Sequence, residues 1–233
     1  MSGIAARLPT YMKVEIFSDV ACPWCYIGHT RFARAAERFR ARGGTLEVTM
    51  RPFQLSPEAP AEGEPLLDAL ARKFGPDVAR TTGRVVEAAA GDGLELRFDR
   101  AVSANTFEAH RLVELASRQG RGEEMAERLF RAHFTDGLNV ADPDVLAELA
   151  AETGVRDTGE GAAEVREHLD RAAGLGISGV PLFLFEEKFA VSGAQPEETF
   201  AAAIDEVAER TGQTPVTLLA APGEACDDGS CAV

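Results

Sequence analysis

Two cysteines three positions apart, in Cys22-Pro23-Trp24-Cys25, sit where an alternating apolar run gives way to a helical one. This junction constrains the fold more than any other feature of the chain. Upstream, Val14 and Ile16 share one face of a run from Met12 to Phe17, which reads as a strand followed by a turn through Ser18-Asp19-Val20-Ala21. Downstream, Phe32, Ala36 and Phe39 recur at helical spacing between Cys22 and about Arg42, and Gly43-Gly44 is the stop. Leu46, Val48 and Met50 then alternate in a second strand ending near Pro52. Strand, crossover helix and strand form a βαβ unit, and such units pair their strands in parallel.

From Gln54 to about Gly176 the pattern is helical throughout. One run opens at Pro65 and ends at Gly75-Pro76. A second covers about Asp77 to Ala90. A third starts at Asn105-Thr106-Phe107-Glu108, where Asn105 can cap and Glu108 can reach back as in a capping box, and carries Ala109, Leu112, Val113 and Ala116 on one stripe. Three more cover Glu123 to Phe134, Asp142-Pro143 to Gly154, and about Gly159 to Leu175. The β pattern returns in Leu182-Phe183-Leu184-Phe185 and in Lys188 to Ser192, close enough for a hairpin. Pro196-Glu197-Glu198 opens a last helix with Phe200, Ile204 and Val207 inward and Gly212 at its end. The layout βαβ, helices, ββα predicts one α/β domain split by a helical insertion, in keeping with 233 residues at roughly 150 per domain.

A sulfur at the start of a helix faces unpaired N–H groups and the positive end of the dipole, which favour a thiolate on Cys22. The first sulfur can then attack a disulfide and the second, Cys25, can resolve the mixed disulfide. Pro23 suits an early helical position because it gives up no hydrogen bond there. The competing readings of the pair are buried thiols or half of a zinc site. Zinc needs two further Cys or His ligands, and His29, His110, His133 and His168 show no paired spacing, so no metal is expected. His29, a turn beyond the pair, reads as a partly exposed surface residue, Asn105 as a helix cap and His110 as a satisfied buried histidine. Tyr26 reads as packing, and Trp24, between the sulfurs, as exposed at the site.

Charge narrows the partners. Lys and Arg number 24 against 38 Asp and Glu, a net charge of −14. Binding to nucleic acid or to an anionic membrane rests on cations, so neither is expected. No apolar stretch is long enough to span a bilayer, and Met1 to Thr10 lacks the features of a signal peptide, which points to the cytoplasm. There thiols stay reduced and four cysteines speak for redox chemistry rather than staples. Three lysines against 21 arginines suggest a GC-rich bacterial coding sequence.

The Cys-Pro-Trp-Cys motif resembles the thioredoxin superfamily, and the helical insertion resembles its DsbA-like branch. Asp19 to Gly28, Pro52-Phe53-Gln54-Leu55, Asn105-Thr106 with Ala109-His110-Arg111-Leu112, and Ser192-Gly193-Ala194-Gln195 are similar to the FrnE-like dithiol oxidoreductases. These matches follow in order along most of the chain. The resemblance implies a thioredoxin fold with halves at 12–56 and 177–217, an all-helical insertion at 57–176, and a mobile acidic tail at 218–233. It also implies a cis Val180-Pro181 lying against the active sulfurs, with Val180 offering backbone groups to a client; by itself the motif reads equally as a trans proline opening an edge strand. Pro23 and Trp24 join Val180 and Pro181 as expected substrate contacts. Cys226 and Cys231, with Gly229 between them, resemble the C-terminal cysteine pair of some FrnE-like proteins and suggest a second redox pair, the alternative being incidental thiols in a solvated tail.

The expected activity is thiol–disulfide exchange or isomerisation on protein thiols or a small thiol. No organic cofactor is required, and glutathione is the candidate redox partner. Two other readings compete. A kappa-class-like glutathione transferase or hydroxychromene-carboxylate-type isomerase shares the split fold but needs no resolving cysteine. Its usual Asp-Arg pair after the last strand's glycine is replaced here by Ala194-Gln195. A chaperone module would grip clients without redox turnover.

Overall fold

A computed structural model describes residues 11–75 and 78–214 of the chain. Strand β1 (Met12–Ser18) leads into α1 (Pro23–Ala41) and β2 (Leu46–Pro52). The helical stretch holds α2 (Leu66–Phe74), α3 (Val78–Gly91), α4 (Phe107–Arg118), α5 (Gly122–Arg131), α6 (Pro143–Glu152) and α7 (Ala162–Gly174). It also carries two-residue strands β3 (Glu64–Pro65) and β4 (Val102–Ser103), which pair with each other and which sequence patterning did not foresee. The chain closes with β5 (Leu182–Phe185), β6 (Phe189–Ser192) and α8 (Glu197–Thr211).

The main sheet runs β2-β1-β5-β6. As the βαβ reading requires, β1 and β2 are parallel, with Ile16 opposite Met50. β5 returns antiparallel to β1, placing Phe183 opposite Ile16 and Phe185 opposite Val14, and β6 completes the hairpin. β1 is therefore central and covered on both faces. On one face Phe32 of α1 packs against Phe183 at 5.2 Å between ring centroids and against Phe200 of α8 at 5.8 Å, with Phe183 and Phe200 only 4.5 Å apart. All three rings are fully buried, so this cluster joins the chain's two halves; burying each contributes roughly 1.5–3 kcal/mol.

On the other face Glu15 lies beneath α7. Its carboxylate accepts from Arg51 Nε at 2.6 Å and from both terminal nitrogens of Arg171 at 2.7 and 2.6 Å. Burial alone would raise its pKa, but the two guanidinium groups hold it below the ordinary carboxylate value.

The predicted capping box does not form. The N-cap position falls to Thr106, which makes no side-chain cap bond, and not to Asn105, whose Oδ1 accepts from Phe107 N at 2.9 Å from one residue further out. Glu108, however, turns to Arg111, whose Nε donates to it at 2.6 Å while its terminal nitrogens grip Asp157. The Asn105 N–H that the box would need donates instead to the Pro60 carbonyl at 3.3 Å, which leaves Glu108 to the charged guanidinium. The run Glu123 to Phe134 likewise splits: α5 ends at Arg131 and a π-turn covers Ala132–Asp136.

Candidate active site

The site is built where β1 ends. Cys22 caps α1 in extended conformation and Pro23 opens the first turn. The Cys22 carbonyl accepts from Cys25 N at 3.0 Å and Tyr26 N at 3.3 Å, which fixes the two sulfurs on one end of the helix. Both cysteines carry free thiols. Cys25 is 1% exposed and Trp24 40%, so the tryptophan forms the outer lip while the second sulfur lies behind the first.

From across the sheet the Val180-Pro181 peptide, which is cis, comes to the same spot. The Val180 carbonyl lies 3.7 Å from Cys22 Sγ and accepts its S–H. Pro181 is buried and Val180 half-buried. Gly28, two turns into α1, makes this approach possible: a Cβ there would lie 3.1 Å from Pro181 Cγ and 3.4 Å from Phe183 Cζ. Cys22, Pro23, Trp24, Cys25, Val180 and Pro181 thus converge. Cys226 and Cys231 lie outside the described residues.

Close to the sulfurs is a buried polar layer of Asp19, from the turn after β1, and His110, buried and bonded as expected. Asp19 is 1% exposed. Its Oδ2 accepts from Leu55 N at 2.7 Å and its Oδ1 from Ala21 N at 3.2 Å. His110 Nε2 lies 3.0 Å from the Phe53 carbonyl and 3.4 Å from Asp19 Oδ1; both are acceptors, so Nε2 carries the hydrogen. Burial opposes ionisation of Asp19, but His110, the Leu55 N–H and the Thr106 hydroxyl hold its pKa below the ordinary value. This buried carboxylate ties the turn before Cys22 to the start of the insertion.

Burial pushes the Cys25 pKa up, hydrogen bonding and charge at Cys22 push it further, and the Asp19 and Ser18 donors pull it partly back; the sum is a thiol well above its ordinary value. At neutral pH the Cys25 thiol is protonated.

Tyr26 packs as expected, stacked on Phe130 at 5.2 Å. His29 does not match its expected exposure. It is 4% exposed, its Nε2 has no partner, and burial lowers its pKa to about 4. The insertion covers it, with the Phe130 ring 6.0 Å away. His133, on the π-turn, is buried with both ring nitrogens unpartnered, and burial again lowers its pKa to about 4, against a weaker upward pull from Asp19. Nothing in local patterning marks either ring, because it is the packing of α5 and the π-turn against α1 that encloses them.

Among the described residues no three or more His, Cys, Asp or Glu side chains come together to hold a metal, and no helix is long and apolar enough to cross a membrane.

Comparison with known proteins places this geometry in a family. A probable DsbA oxidoreductase from Streptomyces coelicolor, SCO1869, is 36% identical, with 96% of this chain and 99% of that one covered and a TM-score of 0.77. The cytosolic disulfide reductase DsbM from Pseudomonas aeruginosa, solved with GSH, shares the fold at 22% identity, covering 85% and 99%, with a TM-score of 0.57. A 2-hydroxychromene-2-carboxylate isomerase also shares it, at 12% identity, 86% and 98% coverage and a TM-score of 0.62. The family model of the DSBA-like thioredoxin domain matches residues 13–205, so the chain belongs to the DSBA-like thioredoxin family.

Proposed function

We propose that this protein is a dithiol–disulfide oxidoreductase in which Cys22 is the nucleophile and Cys25 the resolving thiol. The observation that carries this reading is the stacking of roles at one point: Cys22 at the helix start, the Val180 carbonyl 3.7 Å from its sulfur, and Cys25 buried behind. In the reductive direction the Cys22 thiolate attacks a client disulfide, forming a Cys22–client bond and releasing the second client sulfur, which takes up a proton. Cys25 then attacks the Cys22 sulfur as its own proton leaves. A Cys22–Cys25 disulfide forms and the client thiolate departs, protonated in turn. The oxidative direction is the reverse.

The half-buried Val180 and the buried Pro181 hold the client backbone, while Pro23 and the exposed Trp24 frame the entry. Protein disulfides are the proposed substrates and glutathione the small-thiol partner, a role supported by the GSH bound to the fold-sharing reductase. Cys226 and Cys231 are proposed to relay electrons between this pair and an outside thiol.

The isomerase neighbour keeps a second reading alive, that of an enzyme using glutathione through one active sulfur. Against it, Gly193 is followed by Ala194 and Gln195, and the Gln195 side chain bonds back to the Ser192 carbonyl at 2.8 Å instead of standing ready for a ligand.

Trp24 is the sole tryptophan, so its emission reports on the flanking sulfurs. Titration through a glutathione redox buffer is expected to show one reversible two-electron transition, and a shift in the Cys226→Ser/Cys231→Ser protein would bring the tail pair into the relay. A flat signal, with both thiols permanently free or permanently bridged, would defeat the oxidoreductase reading.

A further inference from the structure

Arg31 follows Gly28 by one turn on α1, and Arg34 follows by another, so the three positions share a face of the helix. Gly28 admits Pro181 on that face and lies close to Ala194 as well: a Cβ there would stand 3.4 Å from Ala194 Cα. Ala194 belongs to the loop between β6 and α8. Arg31 reaches the same loop, its Nη1 donating to the Ala194 carbonyl at 2.8 Å. The other two nitrogens of that guanidinium turn to Asp92, just past the end of α3: Nε and Nη2 each lie 2.8 Å from Asp92 Oδ2. Asp92 is itself fixed, its N–H donating to the Ala89 carbonyl at 3.0 Å and its carbonyl accepting from Arg34 Nη2 at 2.7 Å. With all three nitrogens engaged, the planar Arg31 group holds one orientation. It joins α1, the helical insertion and the β6–α8 loop.

From that loop the bonds lead to the sulfurs. Gly193, beside Ala194, donates its N–H to the Pro181 carbonyl at 2.9 Å. On the other side of Pro181, the Val180 carbonyl lies 3.7 Å from Cys22 Sγ. We infer that Arg31 is a positioning residue for client binding. By holding Ala194 it sets where Gly193 holds Pro181, and hence where the Val180-Pro181 peptide stands over Cys22; through Asp92 it ties that placement to the insertion. This rests on the reading that Val180 and Pro181 hold the client backbone. Arg31 touches neither sulfur nor client, so its loss weakens the grip on an extended chain and leaves the exchange chemistry as it was.

The test is single-turnover reduction by the pre-reduced full chain, followed by Trp24 emission in stopped flow. In each turnover Cys22 and Cys25 end bridged and the probe disulfide ends as two thiols. One probe is an extended peptide closed by one disulfide; the other is bis(2-hydroxyethyl) disulfide, which has no peptide backbone to hold. Arg31→Met keeps the apolar stem and removes every donor. It is expected to raise the half-saturating peptide concentration by about tenfold with the limiting rate within about twofold of the parent, and to leave the rate with the hydroxyethyl disulfide unchanged. Arg31→Lys, which keeps a charged donor but not the fork, is expected to recover half-saturation to within about threefold of the parent. Should the methionine variant not fold, Arg31→Gln carries the same comparison, its shorter amide being unable to span Ala194 and Asp92. Unchanged half-saturation for the peptide overturns the proposal, as does an equal loss with both probes. A parent that treats the two probes alike would instead remove the backbone-holding reading on which the proposal stands, and a parent that reduces neither would remove the oxidoreductase reading beneath it.

Discussion

Replacing His133 by phenylalanine should make this protein markedly less sensitive to mild acid. The imidazole is wholly buried, neither nitrogen has a partner, and its ring stands edge-on to Phe134 at 4.4 Å. Its pKa falls from an ordinary 6.5 to about 4 in the fold, which corresponds to about 3 kcal/mol of linkage. The sign follows from the direction of the shift. Above about pH 6.5 the ring is neutral whether the chain is folded or not, and its full contribution is present. As the pH falls toward 4 the unfolded chain binds a proton that the folded one refuses, and stability drains away. Urea unfolding of the His133→Phe variant at steps from pH 7 to 4.5 should show a decline shallower than the parent's by about 2–3 kcal/mol over that window. Stability at pH 7 should be equal or higher, since the substitution leaves no bonded group orphaned. Carboxylates titrate at about 4 and mostly below the window. A variant whose stability falls as steeply as the parent's would show that this ring is not held neutral by burial.

Three further outcomes are expected. Cys25→Ser should trap the Cys22–glutathione mixed disulfide, visible by mass spectrometry, and cut dithiol turnover by at least about a hundredfold; a variant that keeps full turnover would favour the single-sulfur glutathione enzyme. Asp19→Asn points an amide N–H₂ at donors that need an acceptor and should cost about 2–4 kcal/mol in urea unfolding at pH 7, while an unchanged midpoint would mean the clamp is not formed in solution. Gly28→Ala must push Pro181 away from 3.1 Å, so exchange should slow by roughly threefold to tenfold with the circular dichroism unchanged; exchange at the parent rate would show that the proline's position is not critical.

The frame of the molecule was written plainly in its sequence because each element there is specified by its own periodicity. Val14 and Ile16 announced β1, Phe32 and Phe39 the inward face of α1, and Phe200 with Ile204 that of α8, all now buried. That Cys22 and Cys25 stand together at the start of a helix was legible from their place between strand and helix, and the cis peptide through resemblance alone, since nothing in Val180-Pro181 by itself selects that isomer. What stayed hidden depends on contacts between distant segments. Asp19 carries no local mark of burial until Leu55, Thr106 and His110 close over it. His29 looks like surface until Phe130 covers it. The capping box fails for the same reason, since the Pro60 carbonyl, 45 residues upstream, takes the Asn105 N–H and Glu108 turns to Arg111.

The central position of β1 has a consequence for how the protein is made. Its partner on one side, β2, follows within 40 residues, but its partner on the other side begins only at Leu182, opposite Phe17. At a ribosomal pace of about 5–20 residues per second, the first half-sheet waits on the order of 10 s for the segment bearing Val180 and Pro181. Throughout that interval the nascent chain displays Cys22 without the peptide that will face it, and Phe32 without the rings of Phe183 and Phe200. The candidate site is thus brought together only after the whole helical stretch has been translated, and a polypeptide cut short anywhere in that stretch carries Cys22 and Cys25 but not Val180 and Pro181.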